Sequence, residues 1–255
     1  MSQLEVLRTH CKTLRMPTAY QVVEEVITSA KEQDWPLEMF ATELLEREIE
    51  GRRLRRIERL TKASKLPAGK TLASFDTKRL PLRIRRQLPD LSGGDFLERA
   101  DNILIFGLPG VGKTHFAAAV GAELVQRGRS VLFSPTFKIV GRLLRAKRDL
   151  ELESELRRLD RFELLILDDI GYVQQTRDEM EVLFTLLSER YERRSVAITS
   201  NLVFSEWDKI FKDPMTTASA IDRVVHHSII IEFGKEMKSV RAEQAAKRNA
   251  EARHG

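Results

Sequence analysis

The stretch Asn102–Thr114, NILIFGLPGVGKT, decides the fold of this 255-residue chain. Residues 102–106 form the short apolar run that is typical of a buried parallel strand. Residues 107–114 match the pattern G-x-x-x-x-G-K-[ST] of a phosphate-binding loop. A helix is predicted over 114–127, so strand, loop and helix occur in the required order. We therefore interpret the stretch as a nucleotide-binding loop rather than a glycine-rich turn with an incidental lysine.

The residue types of this loop suit a nucleotide phosphate. Glycines let backbone N–H groups close around an anion at the positive end of the following helix. Lys113 is expected to reach the β- and γ-phosphates, and the Thr114 hydroxyl is expected to bind Mg²⁺. ATP and Mg²⁺ are therefore the predicted cofactors. The predicted cofactor contacts in the loop are Gly107, Pro109, Gly110, Val111, Gly112, Lys113, Thr114 and His115.

Two later strands end in polar side chains. Residues 163–169, ELLILDD, form an apolar run followed by paired carboxylates, the Walker B arrangement when it follows a phosphate-binding loop. Asp168 is predicted to hold Mg²⁺, and Asp169 to orient the water that attacks the γ-phosphate. Asn201 ends the predicted strand 195–201. It would contact the γ-phosphate or the water if its strand lies between the other two, and would otherwise be a polar strand cap.

Composition bounds the remaining possibilities. The chain is 42% hydrophobic and 32% charged with a formal net charge of +5, which favours one α/β core, a small accessory domain and attraction to polyanions. The single cysteine, Cys11, excludes an intrachain disulfide and is expected to be a small buried residue. No apolar run is long enough to span a bilayer, so we expect a cytoplasmic protein without membrane contact.

The chain is predicted to hold two domains. Apolar residues at helical spacing predict an all-α domain over 1–68 that docks a partner. The ATPase domain is predicted over 69–255, and its first part, 69–100, is a linker and lead-in punctuated by proline and glycine. Within the lead-in, three apolar residues would either line an adenine pocket or anchor the linker: Phe75, Leu80 and Ile84.

Basic residues cluster on two predicted helices. They would contact a DNA backbone, or they would be solvated and paired with neighbouring glutamates, among them Glu46, Glu48, Glu50 and Glu58. The candidates for DNA contact are Arg52, Arg53, Arg55, Arg56, Arg142, Arg145, Lys147 and Arg148. The adjacent His226 and His227 precede a predicted strand, 228–233. They are expected to point to opposite sides of an extended segment, which argues against a shared metal.

Together the motifs resemble a known family, the IstB-like helper ATPases of insertion-sequence transposition, which are related to the DnaC and DnaI helicase loaders within the AAA+ class. The resemblance covers nearly the whole chain. The stretches that carry it are GLPGVGKTH (107–115), LLILDDIGY (164–172), ITSN (198–201) and SAIDRVVHH (219–227).

The resemblance implies a P-loop α/β fold with a five-stranded parallel sheet and the Asn201 strand at its centre. In a departure from the usual pattern, no large C-terminal lid is expected, because only about twenty residues follow the last predicted strand. The resemblance also implies that Arg223 reaches the nucleotide of a neighbouring subunit and that Arg241 is a second sensor. Many relatives read Ser-Tyr-Arg at the latter point, where this chain reads Ser239-Val240-Arg241. Asp169 stands where most AAA+ proteins carry glutamate, which favours slow, switch-like turnover.

The expected function is that of an ATPase, DNA-stimulated and Mg²⁺-dependent, that oligomerises on double-stranded DNA with little sequence preference. The oligomer, with ATP at its subunit interfaces, would recruit or activate a transposase, and hydrolysis would dismantle it. Three alternatives remain: a replicative helicase loader, a small-molecule kinase, and a nucleotide-gated binding module that does not hydrolyse ATP. Capture of a transposase or of a helicase distinguishes the expected function from that of a helicase loader. Phosphate release with and without duplex DNA distinguishes it from the kinase and from the module that does not hydrolyse ATP.

Overall fold

The computed structural model of the chain describes residues 2–172, 176–202, 206–207 and 214–234. They form two compact units that divide between Arg59 and Leu60. The domain boundary predicted from the sequence lies later, at residue 68. Within the described ranges, no helix is both long and apolar enough to cross a membrane.

The first unit contains α1 (Gln3–Thr13), α2 (Pro17–Glu32) and the part of α3 (Leu37–Ser64) that precedes Leu60. A capping box starts α1, because Ser2 Oγ accepts from the Glu5 N–H and the Glu5 carboxylate accepts from the Ser2 N–H. The apolar faces of the helices meet in a small core. It contains Cys11, Ala19, Val23, Val26 and Leu44.

A buried carboxylate joins α3 to α2. Glu48 is only 3% exposed, and its Oε2 accepts hydrogen bonds from the Thr18 and Ala19 N–H groups at the start of α2, at 2.8 and 3.0 Å. Its Oε1 accepts from Arg52 Nε at 2.8 Å. Burial raises the pKa of Glu48, but these hydrogen bonds outweigh burial, so its pKa lies below the ordinary value. The carboxylate therefore caps one helix while it sits on another.

The second unit alternates strands and helices after a helical lead-in. The lead-in holds a 3₁₀ turn (Thr77–Arg79), α4 (Leu82–Gly93) and α5 (Asp95–Glu98). The strands are β1 (Asn102–Gly107), β2 (Val131–Pro135), β3 (Leu164–Asp168), β4 (Ser195–Ser200) and β5 (Ser228–Phe233). The helices between them are α6 (Lys113–Gln126), α7 (Thr136–Arg148), α8 (Leu152–Asp160), α9 (Arg177–Arg190) and α10 (Pro214–Val225), with a 3₁₀ turn over Ile170–Tyr172.

The five strands form one parallel sheet in the order β2-β3-β4-β1-β5. This order confirms the predicted five-stranded parallel sheet and the central position of the strand that leads to Asn201. Because helices cover both faces, alternate residues of a strand enter two different cores. In β1, Leu104 packs with residues of α7 and α9, whereas Ile105 packs with residues of α6. The central strands are therefore apolar at nearly every position.

A buried arginine holds the edge of the sheet where the strands begin. Arg190, at the end of α9, is 2% exposed. Its Nη atoms donate to the carbonyl oxygens of Leu159, Phe162 and Ser195 at 2.9–3.1 Å. These carbonyl groups lie at the end of α8, before β3 and at the start of β4. The guanidinium thus joins three segments through their backbones.

Candidate functional site

The loop between β1 and α6 has the backbone that its glycines permit. Gly110 and Gly112 have φ values of 83° and 109°, in the left-handed region that favours glycine. Gly107 has φ 154°, and a Cβ atom there would lie 2.7 Å from Phe233 Cβ. Since real Cβ atoms do not approach so closely, both the turn and the packing against β5 require glycine at this position.

Lys113 begins α6 and turns back over this loop. Its Nζ donates to the carbonyl oxygens of Gly107 at 2.7 Å and Leu108 at 3.0 Å. The ammonium group is thereby held against the carbonyl groups of this loop. Thr114 follows in the first turn of the same helix and is half-buried. A cation and a hydroxyl therefore lie beside the loop, as the sequence predicted for a phosphate site.

The end of β3 carries the paired aspartates, and the neighbouring strand holds them. Thr199, in β4, is 1% exposed. Its hydroxyl donates to Asp168 Oδ1 at 2.8 Å and accepts from the Asp169 N–H at 2.8 Å. Asp169 has φ 62°, an uncommon left-handed conformation for a residue other than glycine. One hydroxyl thus contacts the first carboxylate and the backbone of the second residue.

Asn201 lies just beyond β4, against the 3₁₀ turn that follows the aspartates. Its Oδ1 is buried and has no hydrogen-bond partner in the part of the chain that the structure describes. A Cβ atom at Gly171 would lie 2.4 Å from this oxygen. Glycine at 171 therefore makes room for the Asn201 side chain, and a buried acceptor is available beside the aspartates.

Strand order brings these groups to one edge of the sheet. In a parallel sheet all strands end at the same edge, and β4 lies between β1 and β3. The loop after β1, the aspartates that end β3 and Asn201 after β4 are therefore neighbours. This edge is the usual place for ligand binding in open parallel α/β sheets.

The lead-in segment, residues 69–100, also packs against the phosphate-binding loop. His115 Nε2 lies 3.1 Å from Ser74 Oγ and 3.3 Å from the Thr71 carbonyl oxygen. The Phe75 ring contacts the His115 ring edge-on, with centroids 5.0 Å apart, and also lies against Gly112. Burial lowers the pKa of His115 below its ordinary value. His115, which was predicted to contact the cofactor, thus packs against the lead-in segment.

The three apolar residues considered for an adenine pocket lie in different surroundings. Leu80 is 2% exposed and Ile84 is 4% exposed, and both belong to the core beneath α6. Both are anchors of the lead-in. Phe75 is only partly buried and borders the phosphate-binding loop at Gly112.

Arg223, the predicted arginine finger, packs on its own chain. Its guanidinium lies over the Phe184 ring, 4.8 Å from the centroid, and Nη1 donates to Ser188 Oγ. Both partners belong to α9. Arg241, the predicted second sensor, lies outside the described residues.

The two basic clusters differ in how much of their charge is paired. On α3, Arg52 and Arg55 bind Glu48, and Arg53 binds Glu50; Arg56 is the fourth cation of this cluster. On α7, Arg142 pairs with Glu155, and Lys147 with Glu181 and Asp178. Arg145 and Arg148 are exposed and form no ion pair with any described residue. Most of the predicted DNA contacts therefore have a carboxylate partner within the chain.

The expectation for the histidine pair is wrong. His226 and His227 lie in a turn, not an extended segment, and their ring centroids are 4.3 Å apart. Together with Glu192 they offer ligand atoms within 4.8 Å of one another. Adjacent residues point to opposite sides only in extended backbone, and the turn between α10 and β5 removes that alternation.

Sequence reasoning missed two residues of the site, Thr199 and Gly171. In the predicted strand 195–201, Thr199 lies two positions before Asn201 and so on the same side, and this alternation was the available signal for Thr199. Nothing local marked Gly171. Its role depends on Asn201, which is distant in sequence.

The residues at this edge fit a magnesium–nucleotide complex. The loop has no room for a Cβ atom at Gly107 and has positive φ values at Gly110 and Gly112. Lys113 supplies a cation beside it, and Asn201 Oδ1 is a buried acceptor without a partner among the described residues. Hydroxyl and carboxylate oxygens, as in Thr114 and Asp168, are the donors that Mg²⁺ prefers.

The chain is similar to known proteins over most of its length. Residues 9–248 match the model of the IstB-like ATP binding protein family. An insertion sequence ATP-binding protein of Sinorhizobium fredii is 44% identical over 237 residues, covering 92% of this chain and 80% of the relative. The ATP-binding protein of insertion sequence IS21 from Pseudomonas aeruginosa is 35% identical over 246 residues, covering 96% and 92%.

Among solved structures, the crystal structure of DnaI matches with a TM-score of 0.55 and 20% identity, covering 66% of this chain and 95% of that chain. At this identity the match shows a shared fold only. It agrees with the P-loop sheet described above.

Proposed function

This chain belongs to the family of IstB-like ATP binding proteins, and on that premise we propose that it is an ATPase that assembles on DNA and serves a transposase. The observation that carries the proposal is the meeting, at one sheet edge, of the Lys113 loop, the aspartates that end β3 and the buried acceptor of Asn201. A loop alone would bind a nucleotide. The addition of carboxylates and an acceptor supports hydrolysis.

Each residue of the proposed site has one role in ATP hydrolysis. The loop N–H groups and Lys113 bind the β- and γ-phosphates, and Thr114 and Asp168 hold Mg²⁺, which when bound supplies charge that shields the phosphate oxygens. The Asp169 carboxylate accepts a hydrogen bond from the attacking water and takes its proton. Asn201 Oδ1 accepts from the other O–H of the water, which leaves the water's lone pair directed at phosphorus.

The first test is phosphate release with and without duplex DNA. We expect slow release that DNA stimulates, because assembly on DNA would complete the sites between subunits. A small-molecule kinase would instead transfer phosphate only when an acceptor is supplied. A nucleotide-gated module would bind ATP and release no phosphate in either condition.

We also propose that Arg223 acts on the nucleotide of a neighbouring subunit, after leaving its contacts with α9. A guanidinium supplied in this way stabilises charge on the transferring phosphoryl group, so activity should rise with protein concentration. Inactive Arg223→Ala and Asp169→Asn proteins should recover hydrolysis when mixed, since some interfaces then hold both groups. Mixed oligomers that stay inactive would remove Arg223 from this role.

DNA contact is proposed at the unpaired part of the α7 cluster, with the paired arginines of α3 and α7 as secondary contacts. Arg145 and Arg148 are exposed and form no ion pair with a described residue, so a phosphate does not displace a carboxylate from them. Arg145→Glu with Arg148→Glu should weaken binding and flatten the salt dependence, by about 0.9 in log K per log salt for each phosphate that is no longer neutralised. Arg157→Glu with Arg158→Glu on α8 is the matched control, and an unchanged slope would show that the α7 arginines are only solvated.

The helical domain over 1–68 is proposed to dock the transposase. Two apolar side chains on α3, Leu45 and Ile49, are 51% and 65% exposed and lie one turn apart. Leu45→Ser with Ile49→Ser should reduce capture of the cognate transposase without DNA and leave ATP binding intact. Leu54→Ser, at a 53% exposed position on another side of the helix, is the control.

The runner-up function is that of a helicase loader, which would use the same ATPase. The shared fold with DnaI allows it, but a fold does not identify a partner. Parallel capture experiments with the transposase and the replicative helicase distinguish the two functions, because each predicts one partner.

A further inference from the structure

We infer that Thr199 is a positioning residue for the hydrolytic site, one that sets the Asp168 carboxylate and the Asp169 backbone together. The inference rests on the proposed ATPase function. It starts from one hydroxyl that donates to Asp168 Oδ1 and accepts from the Asp169 N–H, both at 2.8 Å.

The hydrogen bond to Asp168 fixes the rotation of a carboxylate. A carboxylate at a strand end can turn about its terminal torsion, which is broad for aspartate. When a buried donor occupies Oδ1, the direction of Oδ2 follows. Thr136 Oγ1 also donates to the Asp168 carbonyl oxygen at 3.0 Å, so backbone and side chain are both held.

The hydrogen bond from Asp169 secures an unfavourable backbone conformation. A left-handed φ, here 62°, costs free energy for a residue with a Cβ atom and persists only where the surroundings hold it. The Asp169 N–H donates to Thr199, and this contact ties the conformation to β4. The backbone conformation sets the direction of the Asp169 Cα–Cβ bond, from which the carboxylate extends.

Threonine is suited to this position for two reasons. It is β-branched, which fits the buried central strand β4, and its hydroxyl can donate and accept at the same time. Valine has the same shape without the hydroxyl and would remove both contacts. Serine would keep both contacts and lose only a methyl group.

The test compares Thr199→Val with Thr199→Ser in the full-length chain. For Thr199→Val we expect kcat to fall roughly 10- to 100-fold, as for other residues that orient a metal ligand, while affinity for a fluorescent ATP analogue without Mg²⁺ stays within about threefold. The Mg²⁺ concentration that saturates analogue binding should rise, and hydrogen exchange of the Asp169 amide should accelerate. Thr199→Ser should behave like the parent in all four measurements.

Ser195→Ala is the matched control, because it removes a buried hydroxyl from the other end of β4. If Thr199→Val does not fold, Thr199→Ala replaces it. The inference is overturned if the apolar variants keep the parental kcat and Asp169 amide protection, or if Thr199→Ser is impaired as much as they are. If the parent protein releases no phosphate, the proposed function fails, and the amide exchange and Mg²⁺ measurements still decide the role of Thr199.

Discussion

Polar side chains are buried both where the strands of the sheet begin and where they end, but the contacts they make differ. Where the strands begin, Arg190 donates to backbone carbonyl groups that belong to three separate segments. Where the strands end, Thr199 holds the aspartates by their side chain and backbone, and Asn201 Oδ1 has no partner among the described residues. The first arrangement joins segments of the fold, and the second orients side chains at the proposed site.

An unpaired buried atom by itself does not mark a site. Arg190 Nε and Ser195 Oγ, at the beginning of the strands, also lack partners within the described ranges. What distinguishes the other end is that its unpaired acceptor lies at the edge of the sheet that also carries two carboxylates and a glycine loop. The comparison predicts that substitutions where the strands end change chemistry, whereas substitutions where they begin change stability.

The largest effects are expected where the strands end. Lys113→Ala should lower nucleotide affinity by roughly 100-fold or more, because it removes a cation that contacts phosphate before reaction. Asp169→Asn should keep affinity within a few-fold and lower turnover by roughly 100-fold or more, because it removes the proton acceptor. Fluorescent-analogue titration and phosphate release measure the two quantities. Parental turnover by Asp169→Asn would exclude Asp169 as the catalytic carboxylate.

A large loss of stability is expected where the strands begin. Burial lowers the pKa of Arg190 to about 10, so the guanidinium is still charged at neutral pH. Arg190→Met should lower the free energy of unfolding by roughly 3 kcal/mol, because buried carbonyl groups lose their donors. Urea denaturation measures this, and Arg193→Gln at an exposed position is the control. A stable Arg190→Met protein with reduced turnover would contradict the comparison.

A smaller effect on turnover is expected from Gly171→Ala. The added Cβ atom would meet Asn201 Oδ1 at 2.4 Å, and the end of a side chain can move away without unfolding the protein. Phosphate release should therefore fall about tenfold, in the range seen when one transition-state contact is weakened, with nucleotide affinity unchanged. Gly141→Ala is the control, since its added methyl group would meet no described atom within 4 Å. Equal activity of both variants would remove Asn201 from the reaction.

The smallest effect is a pH dependence at the lead-in. The pKa of His115 is lowered by burial, so the unfolded chain binds the proton more readily than the folded chain. The stability contribution is therefore complete above the unfolded value of 6.5 and is lost as pH falls from there towards the lowered pKa. Melting temperatures between pH 7.5 and 5.5 should fall less for His115→Gln than for the parent. An identical fall in both proteins would assign the pH dependence elsewhere.

Much of the second unit was predictable because its signals are local. The phosphate-binding loop is a contiguous pattern in which each glycine has a steric reason, and the apolar run before Asp168 identifies a buried strand without knowledge of its neighbours. Burial confirms the strand at 164–168, and the positive φ values confirm the loop conformation at Gly110 and Gly112. Helical periodicity likewise predicted the all-α character of the first unit.

Tertiary structure decided what those local signals left open. On α3 the pairs of Arg52 with Glu48 and of Arg53 with Glu50 follow from helical spacing, whereas the pair of Arg142 on α7 with Glu155 on α8 depends on how the two helices pack. The turn at His226 replaced an expected extended segment and brought two rings together. Composition gives the number of charged residues, but the fold determines which of their side chains form ion pairs.

The sequence by itself determined the class of the fold and the residue types of the site, because both depend on contiguous patterns. Only the tertiary structure decided that Thr199 bridges the aspartates and that Gly171 makes room for Asn201. Each of these contacts joins residues that are distant in the chain and connects neighbouring strands. No single segment of the sequence determines the order of those strands. A hydrogen bond between neighbouring strands requires the strand order, which the packing of the whole sheet establishes.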